Sequence, residues 1–106
     1  ALAAIKPGVT CADVDRAARA VIEEAGYGPY FVHRTGHGLG LEVHEAPSVT
    51  ATNGLVLEEG MVFTVEPGIY LPERFGVRLE EVAVVTATGV RTLSGLSRDI
   101  IPGGGV

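Results

Sequence analysis

A glycine-rich segment that carries all three histidines constrains the fold of this chain more than any other feature. In FVHRTGHGLGLEVHE, residues 31–45, the glycines at 36, 38 and 40 would each cost about 1 kcal/mol in a helix. A strand or an irregular ribbon is therefore predicted for 36–44. Alternate glycines on one face indicate that another backbone or a ligand approaches closely. His37 and His44 have opposite parity on a straight strand, so a site that uses both requires a bend between them.

The composition predicts one globular domain, 1–106, and argues against several classes of partner. The chain has 106 residues, of which 46% are apolar and 20% are charged. A net charge of −5 without a Lys/Arg cluster argues against nucleic acid and anionic membrane surfaces. No stretch approaches the roughly 20 apolar residues of a membrane span. Because the single Cys11 cannot form an internal disulfide, we expect a reducing compartment, the cytoplasm.

An amphipathic helix is predicted for 11–25. Thr10 is a suitable N-cap, Asp13 occupies the capping-box position, and Gly26 is a good terminator. Apolar residues recur at three-to-four spacing at Val14, Ala17, Ala18, Val21 and Ile22. The carboxylates of this helix, including Asp13 and Asp15, are predicted to form a solvated face.

Strands are predicted at 61–66, 77–86 and 90–93, with loops at 46–54 and 70–75. Glu66 ends the first strand. Arg78 and Glu80 leave the same face of the second strand, while Glu81 faces the other way and is expected to pair or to meet solvent.

The histidines and the strand carboxylates together suggest a metal site. Imidazole and carboxylate are ligands for Mn²⁺, Co²⁺ or Zn²⁺. Glu66 either lies at a solvent edge or faces a ligand, and Glu80 either forms an exposed ion pair with Arg78 or is a buried ligand that Arg78 supports. No Gly-x-Ser-x-Gly or P-loop pattern is present, so a metal-activated water is favoured over covalent catalysis. One histidine and two glutamates balance one divalent ion, and a two-metal site needs further carboxylates.

Three separated motifs resemble one enzyme family. HRTGHGLGLEVHE, EEGMVFTVEPGIY and GVRLEEVAVVT resemble the C-terminal half of the catalytic domain of the pita-bread metallopeptidases, in the branch of Xaa-Pro aminopeptidases and Xaa-Pro dipeptidases (prolidases). The resemblance runs from about Ile5 to Ile101. It implies an α+β fold in which an amphipathic helix packs on a curved, mainly antiparallel sheet.

The resemblance also implies roles for individual residues. His37, Glu66 and Glu80 match metal ligands of the family, and Glu80 matches the ligand that bridges two metals. Substrate-contacting and proton-transferring histidines match His33 and His44. Two further residues, Arg78 and Tyr70, match positions that hold the hydrogen bonds of the site.

The family has two further metal ligands, both aspartates on strands that precede the helix. Residues 1–10 contain no aspartate, and Asp13 and Asp15 lie on the helix itself and do not match. We therefore expect this chain to be the C-terminal portion of a longer parent, inactive by itself and binding one metal ion or none.

For the parent, the resemblance implies hydrolysis of an Xaa-Pro bond at the N-terminus of a peptide or in a dipeptide. A hydroxide bridging two divalent ions (Mn, Co or Zn) would attack the carbonyl. The expected partner is a peptide with proline at its second position, and the expected assembly is a homodimer.

Three alternatives stay open at this point. The chain could be a metal-free or mononuclear binding module of the same fold, or part of a creatinase-like C–N hydrolase. A mononuclear iron oxygenase would need two histidines on one metal, which the spacing of His37 and His44 does not obviously supply.

Overall fold

The helix α1, Cys11–Glu24, lies where the sequence predicts it. The Thr10 side chain accepts from the Asp13 amide at 3.1 Å, and the Asp13 carboxylate accepts from the Thr10 amide at 2.9 Å, so the predicted capping box is confirmed. The computed structural model describes residues 1–103. The last three residues of the predicted domain and of its glycine-rich tail, 104–106, lie outside the described residues.

A five-stranded antiparallel sheet forms the main layer. Its spatial order is β2-β1-β3-β6-β7, and a separate two-stranded hairpin pairs β4 with β5. The strands are β1 Gly36–Gly38, β2 Glu45–Val49, β3 Val62–Val65, β4 Gly68–Leu71, β5 Phe75–Arg78, β6 Glu81–Val85 and β7 Val90–Thr92. Short 3-10 turns at Leu2–Ala4 and Gly28–Tyr30 precede and follow α1.

The core lies between α1 and the sheet. Val14 on the helix and Phe63 on β3 are fully buried, and they belong to one apolar cluster with Ile5, Val49, Leu57, Val65 and Val85. The expected α+β architecture, a helix packed on antiparallel strands, is confirmed. None of the helices within residues 1–103 is both long and apolar enough to span a membrane.

Two predicted loops contain strand residues, whereas the ribbon prediction is confirmed. The expected loop at 46–54 contains β2, which pairs with β1 through His37 and Ser48. The strand or irregular ribbon predicted for 36–44 is a strand over Gly36–Gly38 and irregular from 39 to 44. Beyond it the chain leaves the sheet, and Leu41 is fully exposed. The expected loop at 70–75 is the tight end of the β4–β5 hairpin.

The predicted strand 77–86 is two strands in two sheets. Phe75–Arg78 pairs with β4, whereas Glu81–Val85 pairs with β3. The interruption faces Pro67, which has no amide hydrogen to donate to a ladder. Strand-forming residues on both sides of the break hide this interruption, because its cause lies on the partner strand.

Candidate metal centre

The interruption brings two carboxylates face to face. Val65 pairs with Glu81 before the break and Gly68 pairs with Arg78 after it, in the same register, so Glu66 lies opposite Glu80. The Leu79 amide still donates to the Pro67 carbonyl at 3.2 Å, and the Glu66 amide donates instead to Thr35 at 2.6 Å. Like charges directly opposite on an antiparallel pair destabilise it.

The electrostatics of Glu80 reflect this opposition. Its pKa is raised, first because partial burial desolvates the carboxylate and then because the charge of Glu66 is close and the two carboxyl groups share a hydrogen bond. Arg78 and His37 act in the opposite direction. The Arg78 Nε lies 3.8 Å from Glu80 Oε2, and both side chains are partly exposed. The predicted pairing of Arg78 with Glu80 is therefore present, but Glu80 is not deeply buried.

His37 lies beside this carboxylate pair and is almost fully buried. Its Nδ1 lies 2.9 Å from the carbonyl oxygen of Gly38, so Nδ1–H donates there and Nε2 is the ring nitrogen that faces the carboxylates. That nitrogen, Nε2, lies 3.6 Å from Glu66 Oε2. The His37 amide donates to Thr64 Oγ1 at 3.0 Å, which holds the backbone of the residue on β3.

The chain bends after β1, as a site with two histidines requires. The ring centroids of His37 and His44 are 4.3 Å apart, although the residues are seven positions apart in the sequence. The β1–β2 register shifts between His37 and Gly38, and this irregularity allows the bend.

The close approach predicted from the glycines is present at two of them. A Cβ at Gly36 would overlap the Thr64 carbonyl, and one at Gly38 would overlap the Ala46 carbonyl. At Gly40 the nearest group is only the flexible carboxylate of Glu45.

A second cluster surrounds His33. Its Nε2 lies 2.8 Å from the Tyr70 hydroxyl, and its Nδ1 lies 2.7 Å from the Arg34 carbonyl. A carbonyl oxygen can only accept, so Nδ1–H donates to the Arg34 carbonyl, and in the neutral ring Nε2 then accepts from the Tyr70 hydroxyl. The pKa of Arg78 is raised, first by a hydrogen bond with Tyr70 and then by the nearby charges of Glu66 and Glu80.

The predicted site residues thus meet in pairs rather than in one finished metal site. Within residues 1–103, no group of three or more His, Cys, Asp and Glu side chains is arranged to hold a metal ion. Pairs of close contacts join His37 to Glu66, His37 to His44, Glu66 to Glu80, and His33 to Tyr70.

Comparison with known proteins decides the family. Residues 1–87 match metallopeptidase family M24. The chain belongs to this family. An Xaa-Pro dipeptidase of Lactobacillus helveticus is 52% identical over 100 residues, covering 94% of this chain and 27% of that protein. The chain spans just over a quarter of the length of the curated relatives it matches.

Solved structures agree on the fold. The dipeptidase PepE of Mycobacterium ulcerans superposes with a TM-score of 0.93 at 50% identity, covering 94% of this chain and 27% of that one. The prolidase of Pyrococcus furiosus superposes with a TM-score of 0.90 at 47% identity, covering 92% and 29%. The resemblance to the proline-specific branch and the expectation of part of a pita-bread fold are therefore confirmed.

Of two predictions about carboxylates in this M24 chain, one needs correction and one is confirmed. Asp15, predicted to be solvated, is fully buried and accepts hydrogen bonds from Arg19 and Thr35. Its place at i−3 and i−7 to the buried Ala18 and Ile22 is the signal that could have identified it. Glu81, expected to pair or to meet solvent, is buried and forms a salt bridge with Arg98, whose Nε lies 4.0 Å from its Oε1. Within residues 1–103 its Oε2 has no hydrogen-bond partner.

Proposed function

We propose that this chain supplies one side of the active site of an Xaa-Pro peptidase. The enzyme would hydrolyse the bond that precedes proline, at the N-terminus of a peptide or in a dipeptide. The observation that carries this proposal is the opposition of Glu66 and Glu80 at the strand interruption, with Nε2 of His37 3.6 Å from Glu66 Oε2. The names of the dipeptidase and prolidase relatives support the substrate class.

The chemistry of the donor set fits divalent metal ions. Two opposed carboxylates repel each other, and a cation between them would relieve this repulsion. Histidine Nε2 with carboxylate oxygens suits Mn²⁺, Co²⁺ or Zn²⁺. His37, Glu66 and Glu80 would hold the metal, and when bound it would polarise a carbonyl and acidify water.

A two-metal site would require more negative charge than these residues carry. Two glutamates balance one divalent ion. We propose that further carboxylates come from the part of the relatives' length that this chain does not span. This proposal agrees with the two aspartate ligands that the family resemblance implies. On its own the chain would then bind one ion or none and would be inactive.

The remaining residues would orient the substrate. Tyr70 donates to His33 Nε2 and holds this ring at the edge of the site, where it would contact the peptide near the scissile bond. His44 lies against the ring of His37 and would assist proton transfer to the departing proline nitrogen. Arg78 remains a cation and would hold Tyr70 and Glu80 in place.

Hydrolysis and metal binding by the complete gene product test the proposal. After metal removal and reloading with Mn²⁺, Co²⁺ or Zn²⁺, we expect cleavage of Leu-Pro and of peptides with proline second, little cleavage of Leu-Ala, and none of creatine. Equilibrium dialysis should give at least 100-fold weaker metal binding for His37→Ala and Glu66→Gln. The control variant is Glu58→Gln, which changes an exposed carboxylate where a turn begins. Its metal affinity should equal that of the unmutated protein.

Three results would refute this proposal. Metal affinity that is unchanged in both ligand variants would exclude the proposed donors. Binding of Xaa-Pro peptides with no turnover in any metal-loaded sample would favour the metal-free binding module, and turnover of creatine would favour the C–N hydrolase.

Two further properties of the parent belong to the same proposal. We propose a homodimer, as the family resemblance implied, which light scattering would test. We also propose a cytoplasmic location, supported by the single, buried Cys11, which has no second cysteine in the chain to pair with, and fractionation would test it.

A further inference from the structure

An ion pair on α1 between the buried Asp15 and the partly buried Arg19 is the feature that the proposed function does not yet use. Asp15 has no exposed surface, and Arg19 binds it with two parallel bonds, Nε to Oδ2 at 3.0 Å and Nη2 to Oδ1 at 3.1 Å. Such a fork fixes the plane of the guanidinium as well as its position. The free faces and donors of Arg19 therefore point in fixed directions.

The donors of Arg19 also bind the segment that carries His33. Arg19 Nη1 donates to the Phe31 carbonyl at 3.0 Å, and Nη2 donates to the His33 carbonyl at 3.0 Å. The guanidinium carbon lies 4.0 Å from the centre of the Phe31 ring. The edge of Phe31 meets the His33 ring with centroids 5.1 Å apart, so one guanidinium contacts both the backbone of His33 and the ring against which His33 packs.

The other end of the segment is tied to the same carboxylate. Thr35 is fully buried, and its hydroxyl donates to Asp15 Oδ1 at 2.8 Å. The Thr35 carbonyl in turn accepts from the Glu66 amide. Asp15 and Arg19 thus hold both ends of 33–35, one end leading to His33 and the other to Glu66.

We infer that Asp15 and Arg19 are positioning residues for His33 and, through Thr35, for Glu66. Asp15 is fully desolvated, and a buried carboxylate in an ion pair is expensive to desolvate and adds little stability over well-packed apolar residues. We therefore assign the pair a geometric role. Each of its hydrogen bonds beyond the helix reaches residues 31–35. The catalytic part of this inference rests on the proposed peptidase function.

The decisive variant is Arg19→Lys in the complete gene product. Lysine keeps the charge beside Asp15 but cannot form the fork and reach two carbonyls together. We expect kcat on Leu-Pro to fall at least tenfold with KM changed less than threefold. The matched control is Arg16→Lys, because Arg16 lies on the same helix and pairs with Asp13 only at the surface, and it should change neither value twofold.

A spectroscopic measurement tests positioning without activity. In protein labelled with ¹⁵N at histidine, and with His33 assigned through His33→Gln, His33 should give one tautomer with the proton on Nδ1. Arg19→Lys should give a mixture of tautomers, and Arg16→Lys should not.

A second variant keeps the test valid if Arg19→Lys fails to fold. Thr35→Val removes the hydroxyl that donates to Asp15 at nearly constant shape, and we expect at least a threefold loss of kcat, which Thr35→Ser restores. A lower melting temperature with unchanged kcat and an unchanged His33 spectrum would overturn the inference. If the parent protein does not cleave Leu-Pro, the proposed function fails, and the tautomer spectrum alone then decides the positioning role.

Discussion

Replacing Gly36 by alanine tests whether the close approach of β1 and β3 builds the metal centre. A Cβ at this position would overlap the Thr64 carbonyl, with its carbon at 2.7 Å and Thr64 Oγ1 at 3.2 Å. Carbon atoms pack best at about 3.5–4.0 Å, so the Thr64 carbonyl carbon must withdraw by about 1 Å. The neighbour is backbone in the centre of the sheet, so no side-chain rotation can accommodate the methyl group.

The expected cost has two parts. Forcing an extra methyl group into a packed interior costs about 1–3 kcal/mol. A 1 Å separation also breaks the hydrogen bond from the His37 amide to Thr64 Oγ1, which adds about 1 kcal/mol. We therefore expect Gly36→Ala to lower the free energy of unfolding by about 2–4 kcal/mol. The same shift moves His37 relative to Glu66, so metal affinity should fall as well.

Urea unfolding followed by circular dichroism measures the first effect, and equilibrium dialysis with Mn²⁺ measures the second. Gly54→Ala is the matched control, because a Cβ there has no heavy atom within 4 Å. It should be neutral or stabilising by about 0.4–1 kcal/mol. A Gly36→Ala protein within 0.5 kcal/mol of the parent, with unchanged metal affinity, would refute the link between strand approach and the site.

Three other predictions follow from the same structure. Phe63→Ala leaves a cavity in the core and should lower the free energy of unfolding in urea by about 3–5 kcal/mol, whereas Phe75→Ala, at 64% exposure, should lower it by less than about 0.5 kcal/mol. Equal losses would contradict the assigned core. Thr10→Ala removes the cap of α1 and should cost about 1 kcal/mol by the same measurement, and no loss would mean that the capping box contributes nothing. The hydrogen bond from the Thr10 amide lowers the pKa of Asp13 in the folded protein. The contribution of Asp13 to stability is therefore complete above the usual aspartate pKa and is lost as pH falls through its lowered pKa in the folded state. An acid-unfolding curve of Asp13→Asn with the same pH dependence as the unmutated protein would contradict this.

Local patterns were sufficient for some elements. The helix follows from its three-to-four apolar spacing and from a capping box that involves only neighbouring residues, and β3 and β7 follow from short apolar runs between turns. Three motifs in the expected order were enough to predict the family, and the match to metallopeptidase family M24 covers residues 1–87. The roles of the individual site residues remain predictions that the proposed variants test.

Other features depend on residues far apart in the chain. Asp15 and Arg19, at i and i+4, have the spacing of a surface ion pair, and only the packing of 31–35 against α1 makes Asp15 buried. The hairpin at 68–78 was missed because its strands are short and lack a clear alternation of apolar and polar residues.

The sequence by itself determined the helix, the strand-forming segments, the family and the residue types of the candidate site. Only the tertiary structure decided which of those residues meet. Glu66 lies opposite Glu80 because two strands keep their register across Pro67, and His37 meets His44 because the chain bends at a shift in the β1–β2 pairing. Strand register and bends are set by pairing between distant segments, and a local sequence pattern does not specify which segment it pairs with.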